Sequence, residues 1–272
     1  MRWKPVAEEL SVSAEHILEW SRPPANMTLA DDEVHVWRAD LKLHDSQQQS
    51  LRRLLSDDEG NRADRFYFEK DRDRFVAARG LLRMILSEYL HVPADTLQFS
   101  YSRHGKPSLK TKGEGGGVRF NVSHSHDMAL YAVSRNREVG VDIESIRPRS
   151  FYEEIAERFF STDEIRWLRE IAEEKKPEAF CECWTMKEAY LKARGEGIIT
   201  FPAKSPAMPR IPNSALAEQS IIVSPEDDRS WSLWRLEPGS GYKGALVVEG
   251  ACRKLQRFHW SSDAYDNSSE SP

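Results

Sequence analysis

Two long stretches with helical periodicity, each surrounded by short segments with strand periodicity, constrain the fold of this chain most. In the first, from about residue 62 to residue 90, apolar side chains recur at steps of three and four residues. The second spans residues 177–193, with a proline at its start and Gly195 just after its end, as is typical of helix boundaries. Because short strands accompany each helix, the order of elements predicts an α+β fold of two similar halves.

The remaining patterns distribute strands and shorter helices over both halves. Strands are predicted at residues 34–37, 97–101, 118–122, 128–134, 138–144, 221–223, 231–236 and 245–248, and shorter helices at 45–55, 152–160 and 162–174. We expect an N-terminal half over residues 1–127, a C-terminal half over 128–260 and a disordered tail over 261–272. Residues 112–117 and 202–214, rich in glycine and proline, are expected to be loops.

The overall charge excludes one class of function. The chain of 272 residues carries 39 Lys and Arg against 44 Asp and Glu, a formal net charge of −5. Such a chain has no global basic field with which to hold nucleic acid or an anionic membrane. Any anion-binding site must therefore be local.

The cysteines and the apolar segments predict the compartment. The three cysteines, Cys181, Cys183 and Cys252, are an odd number, and two of them form a C-x-C pair too close for ordinary bridging. The first residues are broken by charges where a signal peptide needs an apolar run, and no stretch approaches 18 apolar residues. We therefore expect a cytoplasmic protein with no membrane span.

The segment Val139–Glu144 carries two acidic side chains on one face of a predicted strand. The period of two places Gly140, Asp142 and Glu144 together. Because alternate Cα atoms lie about 6.6 Å apart, both carboxylates could reach one hard cation such as Mg²⁺. Gly140 is expected to leave room for a ligand there. The same pattern is also typical of a half-buried antiparallel strand that presents its polar face to water.

The second long helix places a carboxylate and an ammonium group one turn apart. Phe180, Trp184 and Leu191 form an apolar stripe at about 100° per residue, and Glu188 and Lys192 lie beside it. This position predicts that both groups border a cleft. A surface ion pair at i, i+4, which contributes only about 0.2–0.5 kcal/mol, is the alternative.

A cluster of small polar residues follows the strand at 120–122. Three interpretations of it remain open: a zinc site that uses His124, His126 and Asp127, an ordinary turn, and an anion-binding turn with Ser123 and His124 as donors. A serine hydrolase is disfavoured, because the chain has no G-x-S-x-G motif.

Several cations are candidates for binding a phosphate. Arg79 and Arg83 lie one turn apart among small and apolar neighbours in the first long helix, so that together they could hold a phosphate. Arg62 and Lys106 are further candidates, although arginines on a helix usually form a solvated face. P-loop, G-x-G-x-x-G and H-E-x-x-H motifs are absent from the sequence.

The order of these segments is more specific than any one of them. The motifs are Gly105-Lys106-Pro107, Phe120-Asn121-Val122-Ser123-His124-Ser125, Val139-Gly140-Val141-Asp142-Ile143-Glu144, Arg158-Phe159-Phe160 and Trp184-x-x-Lys187-Glu188-Ala189-x-x-Lys192-x-x-Gly195-x-Gly197. In this order, from about residue 58 to residue 197, the chain resembles the Sfp-type 4′-phosphopantetheinyl transferases.

This resemblance implies a fold and an activity. The fold is a pseudo-dimer of two similar halves, each a small, mostly antiparallel sheet packed on a long helix, with coenzyme A between the halves and Mg²⁺ on its pyrophosphate. The implied enzyme, a holo-[acyl-carrier-protein] synthase type phosphopantetheinyl transferase, moves 4′-phosphopantetheine from coenzyme A to a serine of an apo acyl, peptidyl or aryl carrier protein. It releases adenosine 3′,5′-bisphosphate. No nucleic acid or membrane partner is expected, and a monomer suffices.

The resemblance also implies roles for individual residues. Asp142, Glu144 and Glu188 would be the metal ligands, and Glu188, Lys192 and Asp142 the catalytic residues. Coenzyme A would be held by Arg62, Arg79, Lys106, Ser123, His124 and Lys192. Two other functions stay open: a non-catalytic module that binds coenzyme A or a carrier protein on the same fold, and a metal-dependent hydrolase that uses water as the nucleophile.

Overall fold

The computed structural model of this protein describes residues 19–103, 105–110, 117–147, 152–196, 208, 219–223 and 229–261. Nearly all of the predicted tail and of the two predicted loops therefore lies outside the described residues. Among the helices within these ranges, none combines the length and apolar character that spanning a membrane requires.

The described elements alternate much as the sequence predicts. The first half contains β1 (Glu33–Asp40), α1 (Asp45–Arg53), α2 (Asp57–Ala63), α3 (Glu69–Leu90), β2 (Phe99–Tyr101), β3 (Pro107–Leu109), β4 (Val118–Ser125) and β5 (Met128–Arg135). The second contains β6 (Val139–Ser145), α4 (Tyr152–Phe159), α5 (Thr162–Glu170), α6 (Lys176–Arg194), β7 (Gln219–Val223), β8 (Ser230–Leu236) and β9 (Tyr242–Glu249). A last strand, β10 (Lys254–His259), follows.

Each half has a four-stranded sheet. The first has the strand order β10-β1-β5-β4, and the second has the order β6-β9-β8-β7. All neighbours are antiparallel except β1 and β10, which run parallel. Strands β2 and β3 form a separate hairpin.

The buried side chains arrange these elements in four layers. Apolar residues of α3, such as Leu82, pack on one face of the first sheet. The opposite face, with Val36, packs against Val141 and other residues of the second sheet. Ala189 and its neighbours on α6 cover the outer face of the second sheet. The protein is therefore a pair of sheets packed face to face, with one long helix on each outer side, which confirms the predicted α+β pseudo-dimer.

The ends of α6 follow directly from its sequence. Pro177 lies in its first turn, where the missing N–H costs nothing. Gly195 ends the helix with a left-handed φ of 72°, and its N–H donates to the carbonyl groups of Leu191 and Lys192.

The first long helix differs from the prediction. One continuous helix over residues 62–90 was expected, but α2 ends at Ala63 and α3 begins at Glu69. The reason is a tertiary contact: the buried carboxylate of Glu59 on α2 accepts hydrogen bonds from Nε of Arg79, at 2.5 Å, and Nε of Arg83, at 2.7 Å. The chain turns between the helices so that α2 can pack beside α3.

The expected division after residue 127 falls in a tight turn. Strands β4 and β5 lie on either side of it, and both belong to the first sheet. The sequence patterns did not predict β10, which returns to the first half and pairs with β1 in the register Glu33↔Lys254 to Arg38↔His259.

Candidate active site

Strand β6 presents alternate side chains to two different surroundings, as the period of two predicts. Val139, Val141 and Ile143 lie in the core between the sheets. The other face is turned toward α6, because a Cβ added to Gly140 would lie 2.0 Å from the carbonyl oxygen of Ala189. The prediction that Gly140 leaves room for a ligand is therefore wrong, since the backbone of α6 fills that space.

This close approach brings Lys192 of α6 to the carboxylate of Asp142. The Lys192 Nζ lies 2.6 Å from Asp142 Oδ1 and 2.9 Å from the Ser123 Oγ. The Ser123 hydroxyl in turn donates to the same Oδ1 at 2.8 Å. Asp142 is only 4% exposed. The three side chains, from β4, β6 and α6, form a closed hydrogen-bonded triangle.

Polar side chains of β4 connect the two sheets at this point. They alternate along the strand at Asn121, Ser123 and Ser125. The Val141 N–H donates to the side-chain oxygen of Asn121 at 2.9 Å. The Ser125 hydroxyl donates to Glu144 Oε2 and accepts from the Ser145 N–H, both at 3.1 Å. Sequence reasoning gave no role to Asn121 or Ser125, although the period of two on β4 carried that signal.

Glu188, one turn before Lys192, lies in the electrostatic field of the two acidic residues of β6. Its pKa is raised to about 7, chiefly by burial and also by the negative charges of Asp142 and Glu144, while the Lys192 ammonium acts in the opposite direction. The structure therefore brings the three predicted acidic residues into one interacting group. A carboxyl with a pKa near 7 can take up and release a proton at neutral pH.

The residues present fit a hard divalent cation. Asp142 Oδ2 is buried without a hydrogen-bond partner in the described part of the chain, and carboxylate oxygens are the ligands that Mg²⁺ prefers. Within the described ranges, no three His, Cys, Asp or Glu side chains are grouped tightly enough to form a ready-made metal cage. The zinc alternative gains no support, because His126 Nδ1 contacts the Ser145 Oγ at 2.8 Å and Asp127 pairs with Arg74.

A cavity of about 360 Å³ opens beside this group, between the two halves. Its lining includes Arg62, Phe75, Arg79, Tyr101, Lys106, His124, Glu188 and Lys192. Five of the six residues predicted to bind coenzyme A line it, and Ser123 is the exception. Cationic side chains from the first half thus face the carboxylate and the ammonium group from the second.

The cations of the first half are held in different ways. The Arg62 guanidinium lies 5.2 Å from the centroid of the Phe75 ring. Arg79 shares the carboxylate of Glu59 with Arg83. The Arg83 side chain is fully buried and also donates to two backbone carbonyl groups. The prediction that Arg79 and Arg83 together hold a phosphate is therefore wrong for Arg83.

Lys106 bridges the halves. Its ammonium group donates to the backbone carbonyl groups of Lys192, at 2.6 Å, and Val139, at 3.3 Å. Burial lowers its pKa, and Glu138 partly offsets this effect. The Gly-Lys-Pro turn of the first half is therefore tied to the last turn of α6 and to the start of β6.

Comparisons with known proteins agree with this architecture. A family model described as "4'-phosphopantetheinyl transferase, N-terminal" matches residues 42–136, and one described as "4'-phosphopantetheinyl transferase superfamily" matches residues 138–247. The two matches meet where β5 of the first sheet gives way to β6 of the second.

Individual relatives extend the similarity over most of the chain. The 4'-phosphopantetheinyl transferase HetI of Nostoc sp. is 41% identical over 247 residues, which cover 89% of this chain and 98% of that protein. Psf-1 of Bacillus pumilus is 36% identical over 56% of this chain and 63% of its own length. Sfp of Bacillus subtilis is 28% identical over 58% of this chain and 68% of its own. These matches confirm the resemblance to the Sfp type, and the chain belongs to the 4′-phosphopantetheinyl transferase superfamily.

Proposed function

We propose that this protein transfers 4′-phosphopantetheine from coenzyme A to a serine of apo acyl, peptidyl or aryl carrier proteins and that the reaction requires Mg²⁺. We further propose that the protein acts as a monomer and is a phosphopantetheinyl transferase of the holo-[acyl-carrier-protein] synthase type. The observation that carries this proposal is the meeting of Glu188 and Lys192 of α6 with Asp142 of β6 beside a cavity between the halves. Phosphoryl transfer needs a base and cations held in place far more than it needs covalent chemistry.

The cavity suits an anionic, phosphate-bearing substrate. Arg62, Arg79, Lys106 and His124 bring cationic or hydrogen-bonding groups from the first half, and Phe75 and Tyr101 add aromatic surface. Coenzyme A, which carries three phosphates and an adenine ring, matches this combination of charge and aromatic contact. We assign these four polar residues to its nucleotide part, with Ser123 acting through Asp142 and Lys192.

Asp142, Glu144 and Glu188 would hold the Mg²⁺ ion. The buried, unpartnered Oδ2 of Asp142 supports this assignment, and so does the mutual repulsion that contributes to the raised pKa of Glu188. When bound, the ion would neutralise charge on the pyrophosphate of coenzyme A.

The remaining steps belong to side chains of this protein. The Glu188 carboxylate takes the proton from the serine hydroxyl of the carrier, and the serine oxygen attacks the β-phosphorus of coenzyme A. The bond from that phosphorus to the oxygen of the α-phosphate breaks, and adenosine 3′,5′-bisphosphate leaves. Lys192, oriented by Asp142 at 2.6 Å, supplies positive charge to the departing phosphate.

A mass-spectrometric assay tests this function. Purified protein, Mg²⁺ and coenzyme A are mixed with a panel of apo carrier proteins, and each carrier is expected to gain the mass of one phosphopantetheine arm. Asp142→Ala is expected to lower the rate at least 100-fold, whereas Asp45→Ala, which removes an exposed carboxylate on α1, should leave it unchanged.

Two other outcomes would contradict the proposal. Calorimetric binding of coenzyme A with no transfer to any carrier would identify a binding module. Release of adenosine 3′,5′-bisphosphate in the absence of a carrier would identify a hydrolase, with water as the nucleophile.

A further inference from the structure

Lys187 is a buried cation for which the reaction above has no use. It directly precedes Glu188 on α6, and only 2% of it is exposed. Its Nζ lies 3.0 Å from Glu164 Oε2 of α5 and 5.6 Å from the centroid of the Phe160 ring. A buried lysine of this kind is costly unless it is paired, and its pair is weak evidence for stability in itself.

The partner carboxylate connects three segments of the chain. Glu164 Oε2 also accepts the Ser161 N–H at 2.7 Å, and the Glu164 N–H donates to the Ser161 hydroxyl at 3.2 Å, so the two residues form the capping box of α5. Glu164 Oε1 accepts the Met208 N–H at 2.8 Å. Met208, from the chain beyond α6, packs in the core cluster of α6 and the second sheet.

This arrangement fixes the rotation of α6 about its axis. Successive side chains on a helix point about 100° apart, so Lys187 points toward α5 while Glu188 points into the cavity. On the sheet side, the close contact at Gly140 limits sliding of the helix. The ion pair supplies a second, directional attachment on a different side.

We propose that Lys187 and Glu164 are positioning residues for Glu188, and that their ion pair holds α6 at the rotation that keeps the Glu188 carboxylate beside Asp142. The proposal rests on the proposed transferase function. An apolar side chain of similar size at position 187 would preserve packing and remove the directional contact. Because it also leaves the buried Glu164 carboxylate without its ammonium partner, a loss of stability is expected as well, and the positioning role is read from the chemical step measured on the folded protein.

The test uses Lys187→Met, which conserves volume, and Glu164→Gln, which removes the charge and keeps one acceptor oxygen for either the Ser161 or the Met208 N–H group. Coenzyme A binding is measured by calorimetry and transfer by single-turnover kinetics at saturating carrier. We expect a transfer rate at least 10-fold lower in both variants and a smaller loss of coenzyme A affinity, because the four side chains assigned to its nucleotide part belong to the first half and not to α6. The matched control is Lys176→Met, which removes an ion pair between α6 and the exposed Glu173 and should leave both values unchanged.

Two results would overturn the proposal. One is transfer at the parental rate in Lys187→Met with only a lower melting temperature, which would indicate a purely structural pair. The other is a crystal structure of Lys187→Met in which the Glu188 carboxylate still faces Asp142. That structure would overturn the positioning role whether or not the parent protein transfers phosphopantetheine. Absence of transfer in the parent protein would instead contradict the proposed function.

Discussion

Replacing Glu188 by glutamine should stabilise the metal-free protein while abolishing its activity. The carboxyl has a pKa raised from its ordinary 4.5 to about 7, first by burial and then by Asp142 and Glu144. A rise of this size corresponds to about 3 kcal/mol. Because the group borders an open cavity, solvent screening reduces the expected effect to about 1–3 kcal/mol. Glutamine has a similar shape and cannot ionise, so it removes this cost.

The sign of the pH dependence follows from linkage. Below pH 4.5 the carboxyl of Glu188 is protonated in both the folded and the unfolded protein, and it behaves much like the amide. Between pH 4.5 and 7 the unfolded chain loses the proton while the folded protein keeps it. Above pH 7 both states are ionised, and the folded protein carries the full cost. The stability advantage of Glu188→Gln should therefore be small at pH 5 and complete at pH 8.

Urea unfolding in the presence of EDTA, at pH 5 and at pH 8, measures this difference. Glu182→Gln is a matched control, since Glu182 lies on the same helix but pairs with Arg235 away from the cavity. It should show no gain at pH 8. Equal stability of Glu188→Gln and the parent protein at pH 8, or a gain that is larger at pH 5, would refute the electrostatic reasoning. Groups that catalysis needs often lower the stability of the folded protein, as this buried carboxylate is expected to do.

Two further substitutions test how the site is held. Gly140→Ala places a methyl group against the backbone of α6, so we expect a loss of about 1–3 kcal/mol or more in thermal unfolding together with lower transfer activity. Gly60→Ala in α2 is the control. Nothing lies within 4 Å of a Cβ added there, so the free energy of unfolding should rise by up to about 1 kcal/mol. Equal effects of the two changes would contradict the close contact between Gly140 and α6. Glu59→Gln leaves the buried Arg79 and Arg83 without a carboxylate, so we expect urea unfolding to show that the free energy of unfolding falls by about 3–5 kcal/mol. A decrease below about 1 kcal/mol would show that the ion pairs of Glu59 contribute little to stability.

The sequence predicted the relative placement of the candidate site residues wherever a regular period fixed the geometry. The alternation in β6 places Asp142 and Glu144 on one face, and the helical spacing of α6 places Glu188 and Lys192 one turn apart. Both relations depend only on residues close together in the chain. The structure reproduces them, and the order of the motifs was enough to indicate the superfamily.

Contacts between distant segments could not be predicted in the same way. Nothing in the sequence around Glu59 indicates that its carboxylate pairs with two arginines of α3. The end of α2 at Ala63, which accompanies this contact, could therefore not be predicted either. Gly140 was interpreted as space for a ligand, although only the packing of α6 reveals what fills that space. Lys106 likewise uses its ammonium group to join backbone carbonyl groups of the other half. Each of these depends on tertiary structure that no local period records.

The parallel pairing of β1 with β10 makes the second half an insertion within the first. The chain completes most of one sheet, builds all of β6 to β9, and only then returns to supply the missing edge strand. A fragment that stops after β5 would expose the unpaired edge of β1 and is expected to aggregate. During synthesis the first sheet cannot be completed until nearly all of the chain has emerged, because β10 is its edge strand. Such non-local strand pairing slows folding. Cutting the molecule between its two halves should therefore yield no independently stable piece.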